Sequence, residues 1–379
     1  MNRRESLNNN QKVFLTLLRA GLWECEASLS QFENIDYSYI SQLADEQAVV
    51  GLVAAGFDHV VDKKIPQEEL LQFVGSALQI EQQNTAMNQF IAKLIENLRS
   101  FNIYALLLKG QGIAQCYERP LWRVPGDVDL LLSDENYTKT EKFLSPLASC
   151  VDVEISYAKH KALTIDEWTV ELHGSLRSGL WRMLDCELDK VQYDIFCGGK
   201  VRSWLNGKTQ VFIPRADEDV VYVFSHILQH FYKEGIGLRQ ICDWCRILLK
   251  FKDSLNQGLL ESRIRKAGIL TEWKTFAALT VDYLGMPSEA MPMYSSSSKW
   301  SKKASKIMAF ILETGNFGHN RDYSYYEKYP YLVYKTISMG RHIKDGYRFF
   351  RVFPLDSLKV MSRRMIVGFS VVIRGKRHE

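Results

Sequence analysis

Two acidic residues, Asp127 and Asp129, flank a single valine at the head of an apolar run, Val128 to Leu132. On a strand, alternation puts both carboxylates on one face, roughly 6–7 Å apart along the chain. Two carboxylates side by side on a buried sheet are costly unless a cation neutralises them. The spacing therefore predicts a divalent metal site at a strand end. Isolated Asp-x-Asp patterns are commonly solvated turn residues, but the surroundings here are specific. Gly126 supplies a turn immediately before, three leucines follow, and Lys109-Gly110-Gln111-Gly112 lies upstream, after the apolar run Leu106–Leu108. The set joins carboxylates for metal to backbone N–H groups at a helix start for phosphate, the parts that nucleotidyl transfer needs.

A third carboxylate tests this reading. In Trp168-Thr-Val-Glu-Leu-His173, alternation puts Glu171 and His173 on one face with Thr169. If this strand lies beside that of Asp129, then Asp127, Asp129 and Glu171 form a cluster able to hold two Mg²⁺ ions. The expected chemistry follows from those parts. One ion bridges the triphosphate of an NTP donor, and the other lowers the pKa of an acceptor hydroxyl. Lys109 and Arg123 are candidates to offset phosphate charge, and the N–H groups of Gly110, Gln111 and Gly112 to contact the β/γ oxygens. Glu171 is placed to accept the acceptor's proton, and His173 either positions a phosphate or hydrogen-bonds inside the sheet.

Three zones must position these residues. Residues 1–100 read as helical: Pro66 sits where a helix starts, and Leu70, Leu71, Phe73, Val74, Leu78 and Ile80 follow at helical spacing. Residues 101–215 alternate strand and helix signals. Ser133 caps a helical run, and strands are expected at Val151–Tyr157, Ala162–Ile165 and Thr169–Leu172. After a helix near Leu180, a hairpin spans Tyr193–Ile213, turning at Gly198-Gly199 or Asn206-Gly207. Residues 216–379 are helical again. The fold class this predicts is α+β, a mixed-sheet core flanked by N-terminal and C-terminal helical regions.

The run Leu107-Leu-Lys-Gly110, then Tyr117-x-x-Pro120-x-x-Arg123, then Gly126-Asp-x-Asp-Leu-Leu131 resembles the DNA polymerase β-type nucleotidyltransferase superfamily. It is most similar to a branch of uncharacterised bacterial nucleotidyltransferases. That branch usually carries an acidic residue plus histidine on a later strand, matched by Val170-Glu-Leu-His173. Its helical part resembles Ser225 to Leu249, with His226, His230, Gly235-x-Gly237-Leu-Arg239 and Asp243, and the Glu313-Thr-Gly-Asn-Phe-Gly318 segment is similar too. The resemblance implies that Arg239 and its neighbours complete a nucleotide or acceptor pocket opposite the carboxylates. The chain departs from the superfamily at Gly110-Gln111-Gly112, where Gly-Ser or Gly-Gly is common, so no serine hydroxyl contacts a phosphate there.

Composition limits the alternatives. With 46% hydrophobic and 24% charged residues the 379-residue chain is ordinary for a globular protein, and a net charge of +4 is too small to imply nucleic acid. Seven irregularly spaced cysteines do not read as a disulfide framework. Without a signal-like start or an apolar run of ~18–20 residues, a cytoplasmic setting is expected. Gly207-Lys208-Thr209 is no Walker loop, since Arg202 stands where the first glycine belongs. Cys242 and Cys245 read as core thiols rather than zinc ligands, and His226 and His230 lack the glutamate of a zincin. From Arg341 the chain carries ten Lys/Arg against three acids, a tail able to make weak contact with an anionic surface. The function expected is metal-dependent transfer of an NMP from an NTP to an acceptor. A sugar, a small antibiotic, an RNA end or a protein hydroxyl would each serve, and the resemblance tilts toward a sugar. The alternatives are a metal-dependent glycosyltransferase using a nucleotide-sugar, and a non-catalytic regulator that kept the fold.

Overall fold

In the computed structural model, residues 7–362 are described apart from 155–158, 323 and 325–327. The chain opens with α1 (Asn9–Trp23), α2 (Tyr37–Glu46), α3 (Val50–Phe57) and α4 (Gln67–Ser100). It continues with β1 (Leu106–Leu108), α5 (Gly110–Ala114), β2 (Val128–Leu131), α6 (Asp134–Leu144), β3 (Cys150–Val151), β4 (His160–Ile165) and β5 (Trp168–His173). Then come α7 (Arg182–Phe196), β6 (Val201–Asn206), β7 (Thr209–Pro214), α8 (Ala216–Lys233), α9 (Leu238–Lys250), α10 (Gln257–Ala267), α11 (Leu270–Leu284), α12 (Ser298–Thr314) and α13 (Tyr331–Phe350). The fold is α+β. No described helix is long and apolar enough to cross a membrane.

The strands form one mixed sheet of order β3-β4-β5-β2-β1-β7-β6. β1 pairs antiparallel with β2 and parallel with β7, and β2 pairs parallel with β5. Strand alternation divides the side chains between two cores. Leu107, Leu130, Leu163, Val170, Leu172 and Val211 pack with Met87, Ile91, Leu94 and Leu98 of α4. Leu106, Leu108 and Leu131 face the opposite way, into a core shared with α1, α3, α8, α9, α11 and α12. Period two therefore sends Asp129, Glu171 and His173 to the side where α8 and α9 lie.

Local chemistry explains the element ends. Pro66 precedes α4, Glu68 and Glu69 occupy its first turn and Arg99 its last, all favourable to the helix dipole. Ser133 caps α6, as expected, by accepting from Asn136 N. Two expectations need correction. Tyr193 lies in α7, because the amphipathic run Leu184, Leu188, Val191 and Ile195 is buried at helical spacing. The hairpin is confined to β6 and β7 and turns at Asn206-Gly207, where Gly207 has φ +61°. The strand expected at Val151–Tyr157 is present only as Cys150–Val151, and its last three residues fall outside the described ones.

The helices before and after the sheet share one core. Trp23 Nε1 donates to Leu284 O at 2.5 Å, and Arg19 Nε donates to Tyr283 O at 2.6 Å. α1 and α3 cross backbone to backbone. A Cβ on Gly56 would stand 2.0 Å from Leu17 O, and one on Gly21 would stand 1.8 Å from Leu52 O. Gly56→Ala must force this crossing apart. Its expected cost is about 3 kcal/mol or more, the upper range for overpacking, read as a lower midpoint in urea unfolding. An unchanged midpoint would show that the crossing yields freely.

Candidate active site

Register brings the carboxylates together. Asp129 on β2 is the direct cross-strand partner of Glu171 on β5, and Leu131 that of His173. Asp127 comes two residues earlier, just before β2. Asp129 is buried, Glu171 is partly buried, and Asp127 is exposed at the edge of the cleft. Three anionic groups so placed repel, and the structure answers with cations. Lys109 Nζ lies 2.8 Å from Asp129 Oδ1. His173 Nε2 lies 2.8 Å from the same oxygen and 3.4 Å from Glu171 Oε2. His160, the register partner of His173 across β4 and β5, puts its Nε2 3.2 Å from Glu171 Oε2.

Titration follows from these contacts. Asp127 is pushed up to about 6, by desolvation in the cleft first and then by the Glu171 and Asp129 charges. Burial opposes the charged form of Glu171, but hydrogen bonds from His160 and His173, with Lys109 nearby, hold it well below its usual value. Glu171 is thus anionic and ready to act as a ligand. Burial likewise disfavours charge on Lys109 and His173, yet Asp129 above all keeps Lys109 charged, and bonds to Asp129 and Glu171 raise His173. His226, partly buried beside Lys109 and His230, is driven well below its ordinary value by desolvation first and then by those two neighbours, and is neutral.

The positions of the expected residues are specific. Lys109 holds a left-handed backbone, φ +49° and ψ −146°, followed by Gly110 at φ +45°. This sharp turn out of β1 aims the lysine at Asp129, and strain of this kind concentrates at functional sites. Gly112 lets α5 sit on β7, since a Cβ there would come 2.9 Å from Ile213 Cγ2. Gln111 turns away from the cleft. Its buried amide donates to Asn84 Oδ1 at 2.6 Å, and Asn84 in turn donates to Leu121 O and Arg123 O. Arg123, a candidate to offset phosphate charge, lines the cleft but is held by a partner of its own. It is buried and bidentate to Asp243, 2.8 Å at Nε and 2.8 Å at NH2, with Tyr117 OH donating to the same carboxylate at 2.7 Å. Such a pair holds the 117–123 loop onto α9.

With Asp243 engaged by Arg123, Arg239 faces the cleft. Its NH1 donates to Val124 O and Pro125 O, bracing the loop that ends at Asp127, while its buried Nε has no partner among the described residues. Burial, then Arg123, lowers its pKa to about 10. Gly235 and Gly237 join α8 to α9 and pack against Asn316 and Gly318. The Gly-x-Gly-Leu-Arg run and the 313–318 segment therefore meet at one junction. Phe317 from that segment lines the cleft with Lys109, Gly110, Asp127, Asp129 and Arg239. Sequence reasoning missed His160 entirely, and it underrated His226, whose Nε2 lies 3.2 Å from Lys109 Nζ and 3.1 Å from His230 Nε2. Cys242 and Cys245 are buried core thiols.

The donor set suits a divalent cation. Carboxylate oxygens are hard ligands of the kind Mg²⁺ takes, and the Lys109 ammonium already occupies a cationic position against Asp129, although Asp127, Asp129 and Glu171 do not bring three oxygens within 4.8 Å of one another in this arrangement.

A family model described as "Uncharacterised nucleotidyltransferase" matches residues 33–285, and the chain belongs to that family. No curated protein matches. The crystal structure of an antigenic nucleotidyltransferase-like protein from Paracoccidioides brasiliensis is similar at 14% identity and a TM-score of 0.33, covering 56% of this chain and 94% of that one.

Two outcomes test the electrostatics. Asp127 has a folded pKa of about 6, above the roughly 3.9 of an unfolded aspartate. Its contribution to stability is therefore present below about pH 4 and is lost as pH rises through 6. The melting temperature of Asp127→Asn should gain on wild type between pH 4 and 7, then level off; a gap independent of pH would refute the raised pKa. Lys109→Met removes the main counter-charge of Asp129. That variant should melt lower than wild type, and added Mg²⁺ should restore more of its melting temperature than it adds to wild type.

Proposed function

We propose that this protein is a metal-dependent nucleotidyltransferase that moves an NMP from an NTP to an acceptor hydroxyl or phosphate. The observation that carries the reading is the register of Asp129 against Glu171, with Asp127 beside them in the same cleft. In the reaction an acceptor oxygen attacks the α-phosphorus and the bond to the bridging oxygen breaks. Pyrophosphate leaves, and the acceptor proton passes to a base. Asp127, Asp129 and Glu171 would hold the metal, which when bound supplies charge neutralisation at the phosphates and a more acidic acceptor hydroxyl.

The chain's own groups have distinct tasks. Lys109 leaves Asp129 for the triphosphate when the carboxylates gain another cation, so one ammonium serves both states. The backbone N–H groups of the strained Lys109-Gly110 turn are the phosphate contacts this reading assigns. Arg239 lines the cleft and keeps the Asp127 loop in place. His173 orients Asp129 and Glu171 from beneath. The helical wall of α8 and α9, with Phe317, forms the side on which the acceptor docks, and a sugar hydroxyl is the acceptor favoured.

The test measures pyrophosphate release with each NTP and Mg²⁺, alongside thermal shifts with NTPs and with nucleotide-sugars. An NTP with Mg²⁺ should stabilise the protein more than any nucleotide-sugar does. Asp127→Asn and Asp129→Asn should each lower turnover by about a hundredfold or more while the protein stays folded. Stronger stabilisation by a nucleotide-sugar would move the reading to a glycosyltransferase, and unchanged turnover in either variant would end it.

A further inference from the structure

Beneath the carboxylates lies a second donor set of different chemistry. His160 Nε2, Glu171 Oε2 and His173 Nε2 all fall within 4.8 Å of one another. The imidazole nitrogens stand 3.2 and 3.4 Å from the Glu171 oxygen. A tetrahedral ion with bonds of about 2.0–2.2 Å separates its ligand atoms by roughly 3.3–3.6 Å. Two edges of such a polyhedron are thus already at their bound length. The framework is rigid, since His160 and His173 are register partners in a six-residue antiparallel ladder and Glu171 shares a strand face with His173. His160 and Glu171 are partly open to solvent, so an ion has a way in.

We propose that His160, Glu171 and His173 form a binding site for a borderline transition-metal ion of the Zn²⁺ type. Two imidazoles and one carboxylate suit Zn²⁺, Fe²⁺ or Mn²⁺, whereas Mg²⁺ takes oxygen ligands and sheds water reluctantly. Glu171 belongs to both donor sets. An ion held by the histidines withdraws Glu171 from the all-oxygen cluster and His173 Nε2 from Asp129. On the nucleotidyl-transfer reading, Zn²⁺ at this site therefore inhibits Mg²⁺-dependent turnover. The binding itself does not rest on that reading.

The experiment titrates Zn²⁺ into the full chain in a large excess of Mg²⁺, with a chromogenic chelator as competitor, and repeats the titration with Co²⁺ as a spectroscopic probe. Wild type should bind one ion that Mg²⁺ does not displace, and Zn²⁺ should raise its melting temperature. The Co²⁺ spectrum should lack a thiolate charge-transfer band, which separates this site from the four exposed cysteines. His160→Asn and His160→Ala should each weaken binding at least about tenfold and abolish the thermal shift, with metal-free melting checked for both. Binding unchanged in these variants, displacement by Mg²⁺, or a thiolate band would overturn the proposal. Zn²⁺ binding lost with His160 but present in a protein with no NTP turnover would support this site and count against the nucleotidyl-transfer reading alone.

Discussion

Two carboxylates face each other directly across adjacent parallel strands, and much of this structure is arranged around that opposition. At the separation of paired strands, Asp129 and Glu171 repel strongly wherever water is excluded. The fold tolerates them because Lys109 and His173 converge on Asp129, while His160 and His173 converge on Glu171. Each compensating group comes from a different local device: a strained turn for Lys109, the same strand for His173, the neighbouring strand for His160. Like-charge clusters held together in this way are a mark of sites built for cations or for chemistry.

The helices act as a frame for that cleft. Gln47, fully buried, accepts from Leu238 N and donates to Ile311 O, so the end of α2 fixes the start of α9. α9 then delivers both Asp243, which anchors Arg123, and Arg239, which braces the loop before Asp127. Gln240 reaches Asn316 at 2.8 Å and ties in the segment carrying Phe317. Removing either member of the buried Arg123–Asp243 pair would leave a desolvated charge, a loss of the order of 3–5 kcal/mol. That pair therefore belongs to architecture, although it borders the cleft.

What the sequence made legible was local. Asp127, Asp129, Lys109 and the Glu171-Leu-His173 run lie in short windows where alternation and glycine turns speak directly, and Pro66 and Ser133 mark helix starts by their own chemistry. The domain of the unreadable was pairing. His160 became visible only once β4 was registered against β5, because no spacing between positions 160 and 173 encodes which residues oppose. Arg123 and Arg239 are both arginines near the same loop, and only the packed structure decides which one takes Asp243. Gln111 could not be oriented either, since its partner Asn84 lies on a helix 27 residues earlier. The hairpin boundary slipped for a similar reason: Tyr193–Phe196 carry enough aromatic and branched character to suit a strand, and burial of Ile195 in step with Leu184, Leu188 and Val191 places them in helix.

The placement of β1 between β2 and β7 carries a consequence for how the molecule is made. Leu106 pairs with Phe212, more than a hundred residues downstream. Until β7 has been synthesised and docked, the strand that launches Lys109 is an open edge, with its backbone groups free to recruit another chain. Closing so long a connection is entropically slow. A chain that lacks β7 keeps that edge unpaired, the form in which this sheet is most open to pairing with another chain.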